Sequence, residues 1–347
     1  MSALASFWSR SRWWFEQKAT MKNVLVLGGT GFVGSHVCEK LARAGWTITV
    51  PTRRRLNAQR VMHLPGLTVL EADVNDAVEL GKLVRGQDAV INLVGILHGS
   101  QQAFTRAHFH LPRMVAHACR NSGVRSLVHV SALGADGKNP NAAPSMYLRS
   151  KSQGEAVLTE GRGNVDLTIL RPSVVFGTED SFLNLFARLQ QTLPVMPLAG
   201  AHARFQPVWV EDLAAAVVKS LQAHVSGGEQ PVRVVEVCGP QVFNLRELVQ
   251  MAAKWAGVND GMGRLVINLP GWAGYLQALF MEMLPGKTLL SRDNLASMKV
   301  DNVATPGVAG LESLGIKATA LQPIASQYLQ RQQSDQGLLG VRNRYRS

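Results

Sequence analysis

Val24-Leu25-Val26-Leu27-Gly28-Gly29-Thr30-Gly31-Phe32-Val33-Gly34 is the stretch from which the rest of the chain can be read. Four consecutive apolar residues predict a buried strand, and Val37, Leu41 and Ala44 recur at helical spacing up to Gly45, so the glycines between them form a strand-to-helix turn. Gly28, Gly31 and Gly34 stand in the order GxxGxxG, a spacing that lets backbone approach a pyrophosphate while the helix N-terminus offers N–H donors and partial positive charge. Thr30, Phe32 and Val33 supply those donors. A turn serving only helix–strand packing is the plainer alternative, and the matching strand and helix on either side weigh against it.

Outward from this unit, strands are expected at Thr47–Val50, Thr68–Leu70, Ala89–Leu93 and Ser126–Val130, a helix from Met146 to Thr159, and a strand at Asp166–Leu170. Strands alternating with helix-length segments predict an α/β fold, a Rossmann-type doubly wound parallel sheet with a smaller C-terminal α/β portion facing substrate or partner. The expected division is a nucleotide-binding core over 21–175 and a C-terminal portion over 176–331 that partly completes the core and covers the cleft. In that portion Pro194, Pro197 and Pro207 break the chain, with a short strand at Phe205–Val210, a helix at Asp212–Ala223, a strand at Val232–Val237 and a helix at Asn244–Ala256 capped by Asn244. Residues 1–20 read as a disordered leader or as lying ahead of a later start at Met21, and 332–347 as a basic tail.

At 347 residues, with 46% hydrophobic and 17% charged residues, the chain is rich enough in apolar groups to bury a core and too apolar to be disordered. Cys38, Cys119 and Cys238 are odd in number and form no CxxC pair, so neither a disulfide framework nor a thiolate zinc site is indicated. The net charge of +12 raises nucleic acid and anionic lipid as partners. The two tails hold five of those charges and no aromatic interleaving accompanies the rest, so no nucleic acid is expected. No apolar run is long enough to span a bilayer and no secretory signal opens the chain, which places it in the cytoplasm, with a peripheral seat on the inner membrane left open by Phe7, Trp8, Trp13, Trp14 and Phe15 in the basic leader.

Cofactor preference is written at the end of the second strand, where an acid accepts from the NAD ribose and a base welcomes the NADP phosphate. No acid occurs between Glu39 and Glu71, and Arg53-Arg54-Arg55 begins 19 residues after Gly34. NADP(H) is therefore preferred, through Arg53 and Arg54, with NAD(H) as the alternative and a solvated turn as the plain reading. Asp73 and Val74 after the third strand can reach the adenine, although an Asp there often caps the next helix. Leu93, Val94 and Gly95 after the fourth let backbone approach the cofactor.

Tyr147 and Lys151 stand four apart on one helical face. A lysine ammonium beside a phenol lowers the phenol's pKa, making Tyr147 a proton donor or acceptor near a nicotinamide, and Lys151 can also bond the nicotinamide ribose.

With these residues the chain resembles the short-chain dehydrogenase/reductase superfamily in its extended form: GGTGFVG at 28–34, Tyr147/Lys151, Leu170-Arg171-Pro172 before Val-Phe-Gly, and Pro207-Val-Trp-Val-Glu-Asp-Leu-Ala. Val130-Ser-Ala-Leu-Gly-Ala-Asp, Tyr147-Leu-Arg-Ser-Lys-Ser-Gln-Gly-Glu, Ser291-Arg-Asp-Asn, Val300-Asp-Asn-Val and Leu314-Gly-Ile are similar to an atypical branch of it, that of the complex I alpha-subcomplex subunit nine, and the likeness covers about 22–330. The resemblance implies NADP(H) binding and a C-terminal portion that closes over the cofactor or meets partners. Active extended members use an Asn–Ser–Tyr–Lys set, and motif matching puts His108 at the Asn position and Ala132 at the Ser position. Ser131 is the candidate substitute, against the plain reading of a structural hydroxyl.

His108, His110 and His117 have no carboxylate neighbours in sequence, and no metal is expected from them. Trp272, Tyr275, Leu276, Leu279, Phe280 and Met283 fall on one helical face between Pro270 and Pro285. The expected role of that face is to pack inward and cap the cleft, with docking to a membrane surface or partner as the alternative. Two functions follow: an NADP(H)-dependent carbonyl reductase or epimerase-type oxidoreductase acting on a small-molecule or quinone-related substrate, and a non-catalytic, cofactor-stabilised accessory or assembly factor of quinone-linked respiratory (complex I) or quinone-biosynthetic machinery.

Overall fold

The computed structural model describes residues 22–222, 232–283 and 290–330. The expected leader and basic tail lie outside the described residues. The first half runs β1 (Asn23–Leu27), α1 (Phe32–Arg43), β2 (Thr47–Thr52), β3 (Leu67–Glu71), α2 (Ala77–Val84), β4 (Ala89–Asn92), α3 (Gln101–Thr105), a π-turn at Arg106–His110, α4 (Leu111–Ser122), β5 (Ser126–Val130), α5 (Met146–Gly161) and β6 (Asp166–Pro172). The second half runs β7 (Val175–Phe176), α6 (Leu183–Thr192), β8 (Val195–Leu198), β9 (Arg204–Phe205), β10 (Val208–Trp209), α7 (Val210–Gln222), β11 (Arg233–Val237), β12 (Phe243–Asn244), α8 (Leu245–Trp255), β13 (Leu265–Asn268), α9 (Gly271–Met283) and α10 (Arg292–Ser297), before a last helix at 321–330.

Seven strands form one parallel sheet in the order β11-β6-β5-β4-β1-β2-β3. The doubly wound α/β architecture is thus the one the alternation predicts. All four residues of β4 are buried, as a central parallel strand covered on both faces requires. On one face Val24, Val26 and Val50 pack under α1 and α7 through Val37, Leu41, Leu213 and Val217. On the other, Leu25, Leu27 and Leu127 pack under α4 and α5 through Leu111, Val115 and Leu158. Each such side chain contributes on the order of 1.5–3 kcal/mol by leaving water.

Strand order reverses between β1 and β4, so their C-terminal ends frame a crevice, the usual ligand position in open α/β sheets. β11 and α7, although late in sequence, belong to this core. The single strand expected at Phe205–Val210 is instead two two-residue strands, β9 and β10. Pro207 between them has no N–H to give to a ladder. A separate cluster of Phe176, Leu183, Leu248, Trp255, Leu321 and Tyr328 builds the C-terminal portion.

Candidate functional site

The glycine turn and the end of β4 are pressed together. Gly28 has φ +82°, and a Cβ there would lie 3.1 Å from the Leu93 carbonyl carbon and 3.2 Å from Val94 N. A Cβ on Gly34 would stand 2.2 Å from the Gly28 oxygen, so α1 approaches the turn as closely as backbone can. Gly31 is different: it is exposed, and its Cβ would meet only the Gly28 oxygen, at 3.3 Å. Of the three glycines it is the one least confined by protein packing.

The start of α1 is also electrically open. It has neither a side-chain cap nor an acidic residue in its first turn. Other helices of the chain are capped: α2 by Asp76, α5 by Ser145, and α8 by the reciprocal pair Asn244 and Glu247. The first N–H groups of a helix have no intrahelical acceptor, so Phe32, Val33 and the half-buried Thr30 beside them border a site fit for an anion such as a dinucleotide's pyrophosphate.

Arg53 and Arg54 are exposed at the end of β2, where the buried Thr52 donates from Oγ1 to the Arg54 carbonyl. Asp73, after β3, does not cap α2; Asp76 does, taking Val78 N and Glu79 N. Asp73 Oδ1 instead accepts from Asn75 N at 3.0 Å and Asn75 Nδ2 at 2.9 Å. Those bonds, with the charges of Arg53 and Arg106, hold its carboxyl below the ordinary range. Val74 packs against the core, half-buried.

Tyr147 opens α5. Ser145 Oγ takes Leu148 N, while Asp293 takes Met146 N at 2.6 Å and Tyr147 N at 3.0 Å. The phenol ring stands edge-on to His108 (5.7 Å between centroids) and to Phe104 (6.3 Å). Lys151, one turn on, is buried, and Nζ donates to the Val130 carbonyl at 3.1 Å. A Cβ on Gly95 would lie 3.1 Å from that Nζ, which brings the end of β4 onto the lysine. One further turn on, Glu155 grips Arg171 of β6 through two bonds of 2.9 and 2.6 Å, tying α5 to the sheet.

The expected lowering of the Tyr147 pKa by Lys151 does not occur in this arrangement. Burial pushes the phenol up to about 12. Lys151 is itself pushed down to about 8 by burial, against the pull of Glu155, and its hydrogen bond goes to Val130 rather than to the phenol.

His108, matched to the Asn position of the family set, has a different job here. Ile96 N donates to Nε2 at 3.0 Å, Nδ1 lies 2.8 Å from Ser150 Oγ, and Ser150 Oγ donates to the Tyr147 carbonyl at 2.7 Å. That chain has one consistent polarity: Nδ1 carries the proton. Burial, Lys151 and His129 push the imidazole down to about 2, so it stays neutral. The π-turn carrying His108 bears directly on α5, since a Cβ on Gly154 would lie 2.2 Å from the His108 oxygen.

Ser131 is buried and its Oγ has no hydrogen-bond partner among the described residues. The same holds for Asn92 Nδ2 and both ring nitrogens of His129. Asn92 and His129 are register partners on β4 and β5, and Ser131 follows His129 on the same face. Each orphaned group costs about 1–3 kcal/mol if left dry. The sequence reading missed Asn92, His129, Ser150 and Asp293. Polar residues two apart in an otherwise apolar strand were the available signal for His129; nothing local marked Asp293.

His110 is exposed, and His117 Nδ1 pairs with Asn121 Nδ2 at 3.2 Å. The described residues do gather His36, Glu39 and Glu211 within ligand reach of one another. Lys40 Nζ sits 2.6 Å from Glu211 Oε2 and already supplies the cation there.

Comparison with known proteins meets this geometry. Residues 24–238 match the NAD dependent epimerase/dehydratase family. The chain belongs to that family. Among its relatives is the mouse mitochondrial NADH dehydrogenase [ubiquinone] 1 alpha subcomplex subunit 9, 30% identical over 319 residues, covering 88% of this chain and 79% of the relative. A ceramide reductase of Caulobacter vibrioides is 30% identical over 206 residues, covering 59% of this chain and 62% of the reductase. Of solved structures, MoeE5 in complex with UDP-glucose and NAD superposes with a TM-score of 0.64 at 19% identity, over 91% of this chain and 99% of that one. The family's fold is thus shared across most of the chain.

Proposed function

We propose that the chain holds NADP(H) in the crevice between β1 and β4 and that Tyr147 exchanges a proton with a substrate oxygen there. The observation that carries this reading is the convergence on one sheet edge of an open Gly31, an uncapped α1 and the Arg53–Arg54 pair. Thr30, Phe32 and Val33 would face the pyrophosphate with backbone N–H groups, Gly28 and Gly34 would hold the turn, and Leu93, Val94 and Gly95 would border the nicotinamide half. Arg53 and Arg54 supply the fork for a 2′-phosphate in place of the carboxylate that an NAD ribose requires.

The bound nicotinamide supplies or receives a hydride. The chain's part is the proton: Tyr147 Oη gives it to the oxygen of a carbonyl being reduced and takes it back in the reverse oxidation. Lys151, with ammonium protons to spare beyond Val130, would bond the nicotinamide ribose. Ser131, buried with its Oγ unpartnered among the described residues, is the candidate for holding the substrate oxygen. Small quinone-related carbonyl compounds are the substrates to try first.

A second reading has its own support. The matched subunit nine proteins are named as parts of NADH dehydrogenase, and Tyr147 is pushed away from easy ionisation. In that reading NADP(H) stabilises an accessory protein of respiratory machinery that sits peripherally at a membrane; no helix of the described residues is long and apolar enough to cross one.

Thermal denaturation with titrated NADPH and NADH tests the shared part. A ligand binding only the native state at a hundredfold its Kd adds about 2.7 kcal/mol. NADPH is expected to stabilise more than NADH, Arg53→Ala to narrow the difference, and Gly31→Asp to remove both. No stabilisation by either nucleotide rejects the proposal. Oxidation of bound NADPH by a substrate, lost in Tyr147→Phe, selects the first reading over the second.

A further inference from the structure

α9 is packed the opposite way round from what its pattern predicts. Its small residues face the protein: Gly274 and Ala278 are buried, and a Cβ on Gly274 would lie 2.7 Å from Ala199 Cβ. Gln277 Nε2 reaches the Pro197 carbonyl at 3.4 Å, fixing the helix across β8. Trp272, Tyr275, Leu276, Phe280 and Met283 point away, each between 49% and 77% exposed. The exposure continues onto β13, where Leu265 and Ile267 are also exposed and Ile267 is the register partner of that same Pro197.

We infer that this face of α9 and β13 is a docking surface for an anionic lipid bilayer. The inference deepens the peripheral reading above and rests on it only for the role, not for the site. Three features choose lipid over a protein partner. The face offers few directional hydrogen-bonding groups: Gln277 is turned inward, the Tyr275 oxygen and Glu282 accept from Arg292 at 3.0 and 2.9 Å, and the donors left are the Trp272 indole N–H and the Tyr275 O–H. Specific protein interfaces carry about one hydrogen bond per 100–200 Å² and need such groups. Trp and Tyr beside aliphatic side chains are the composition of a membrane–water boundary.

Charge is the third feature. Arg264 precedes β13, Arg246 Nη2 bonds the Val266 carbonyl at 3.3 Å, and Arg292 stacks on Tyr275 at 5.5 Å. The Arg292–Glu282 pair is neutral in sum, which leaves Arg246 and Arg264 set against Asp260 in the preceding loop. A basic rim around an apolar strip fits phosphate headgroups over acyl chains. At 13 residues α9 is too short to span and long enough to lie in the interface.

The experiment uses the full chain with vesicles of phosphatidylcholine alone and of phosphatidylcholine mixed with phosphatidylglycerol. Co-sedimentation is expected with the mixed vesicles, and Trp272→Gln combined with Phe280→Gln should weaken it by about tenfold or more. Brominated acyl chains should quench tryptophan emission in the parent, with the quenched component missing from Trp272→Phe. Both variants should keep the parent's nucleotide response and melt close to the parent, because Trp272 and Phe280 are 71% and 65% exposed.

Vesicle binding unchanged by the double substitution would overturn the inference, assigning the affinity to the basic tails, which raised salt would confirm. Absence of binding to either vesicle would overturn it as well, and a dimer in light scattering that the double variant dissolves would give the face to a second copy of this chain. A failure of NADPH binding would remove the proposed function and leave the vesicle result standing.

Discussion

The Asp293 carboxylate accepts from the backbone N–H of Tyr147 at 3.0 Å, across 146 positions of sequence. A residue of the C-terminal portion thus completes the first turn of the helix that carries the candidate proton donor and Lys151. The adjacent Arg292 is held by Tyr275 and Glu282 of α9. Two neighbouring residues therefore join the exposed helix to the candidate site.

Asp293→Ala should destabilise the chain by about 1 kcal/mol, the usual worth of an N-terminal cap, and Asp293→Asn by less, because it keeps an acceptor while losing the charge that favours the helix dipole. Chemical denaturation of the three proteins at one pH checks this. Equal stability of parent and Asp293→Ala would show the cap to be energetically idle.

The glycines of the turn should separate into two kinds. Gly34→Ala places a Cβ 2.2 Å from the Gly28 oxygen and should prevent normal folding, whereas Gly31→Ala meets nothing closer than 3.3 Å and should melt like the parent. Nucleotide affinity should nevertheless fall in Gly31→Ala, by about tenfold or more, because the methyl occupies the surface backbone offers to a phosphate. Circular dichroism melts paired with NADPH titration distinguish the two losses.

Acid sensitivity should trace to two buried histidines. His108 is held down to about 2 and His129 well below its ordinary value, both chiefly by burial. An unfolded chain protonates them near pH 6.5 and the native chain does not, so the unfolded state binds more protons below that pH and stability falls as the pH falls. His129→Phe should flatten the fall between about pH 6 and 4 and leave stability near neutrality equal or higher, since it removes two unpaired ring nitrogens in favour of an apolar group of similar shape. A clear loss of stability at pH 7 would mean that His129 has a bound partner, such as an internal water.

Lys151 should act at the other end of the scale. Its native pKa of about 8 lies below the ordinary lysine value of about 10.4. Between those values the unfolded chain keeps a proton that the native chain has released, so stability should rise with pH across that window relative to a variant without the amine. Urea midpoints of the parent and Lys151→Met from pH 7 to 10 check the slope. Parallel curves would place the ammonium in water rather than in the buried position.

The glycine turn, the strands of the core and the helix of Tyr147 and Lys151 were legible from local sequence, because short apolar runs, glycine spacing and helical periodicity are set by backbone sterics and burial within a few residues. The glycine and tyrosine–lysine motifs also carried the resemblance that the family match supports. What local sequence left undetermined is where long-range packing chooses among locally equal options. Motif matching put His108 at the position of the family's asparagine, and only the contacts of Ile96 and Ser150 fix it as a neutral support. Lys151 was four residues from Tyr147 on one face, yet the approach of Val130 takes its hydrogen bond.

α9 marks the boundary most clearly. Its large apolar residues share one helical face, which periodicity turns inward, whereas the structure buries the opposite side through Gly274 and Ala278. That choice fell to Ala199, whose closeness admits only a glycine at 274 and so turns the large side chains outward. Sequence determined what could be a strand, a helix or a phosphate turn, since those depend on neighbours in the chain; the tertiary structure decided which groups are buried, neutral or exposed, since those depend on neighbours in space.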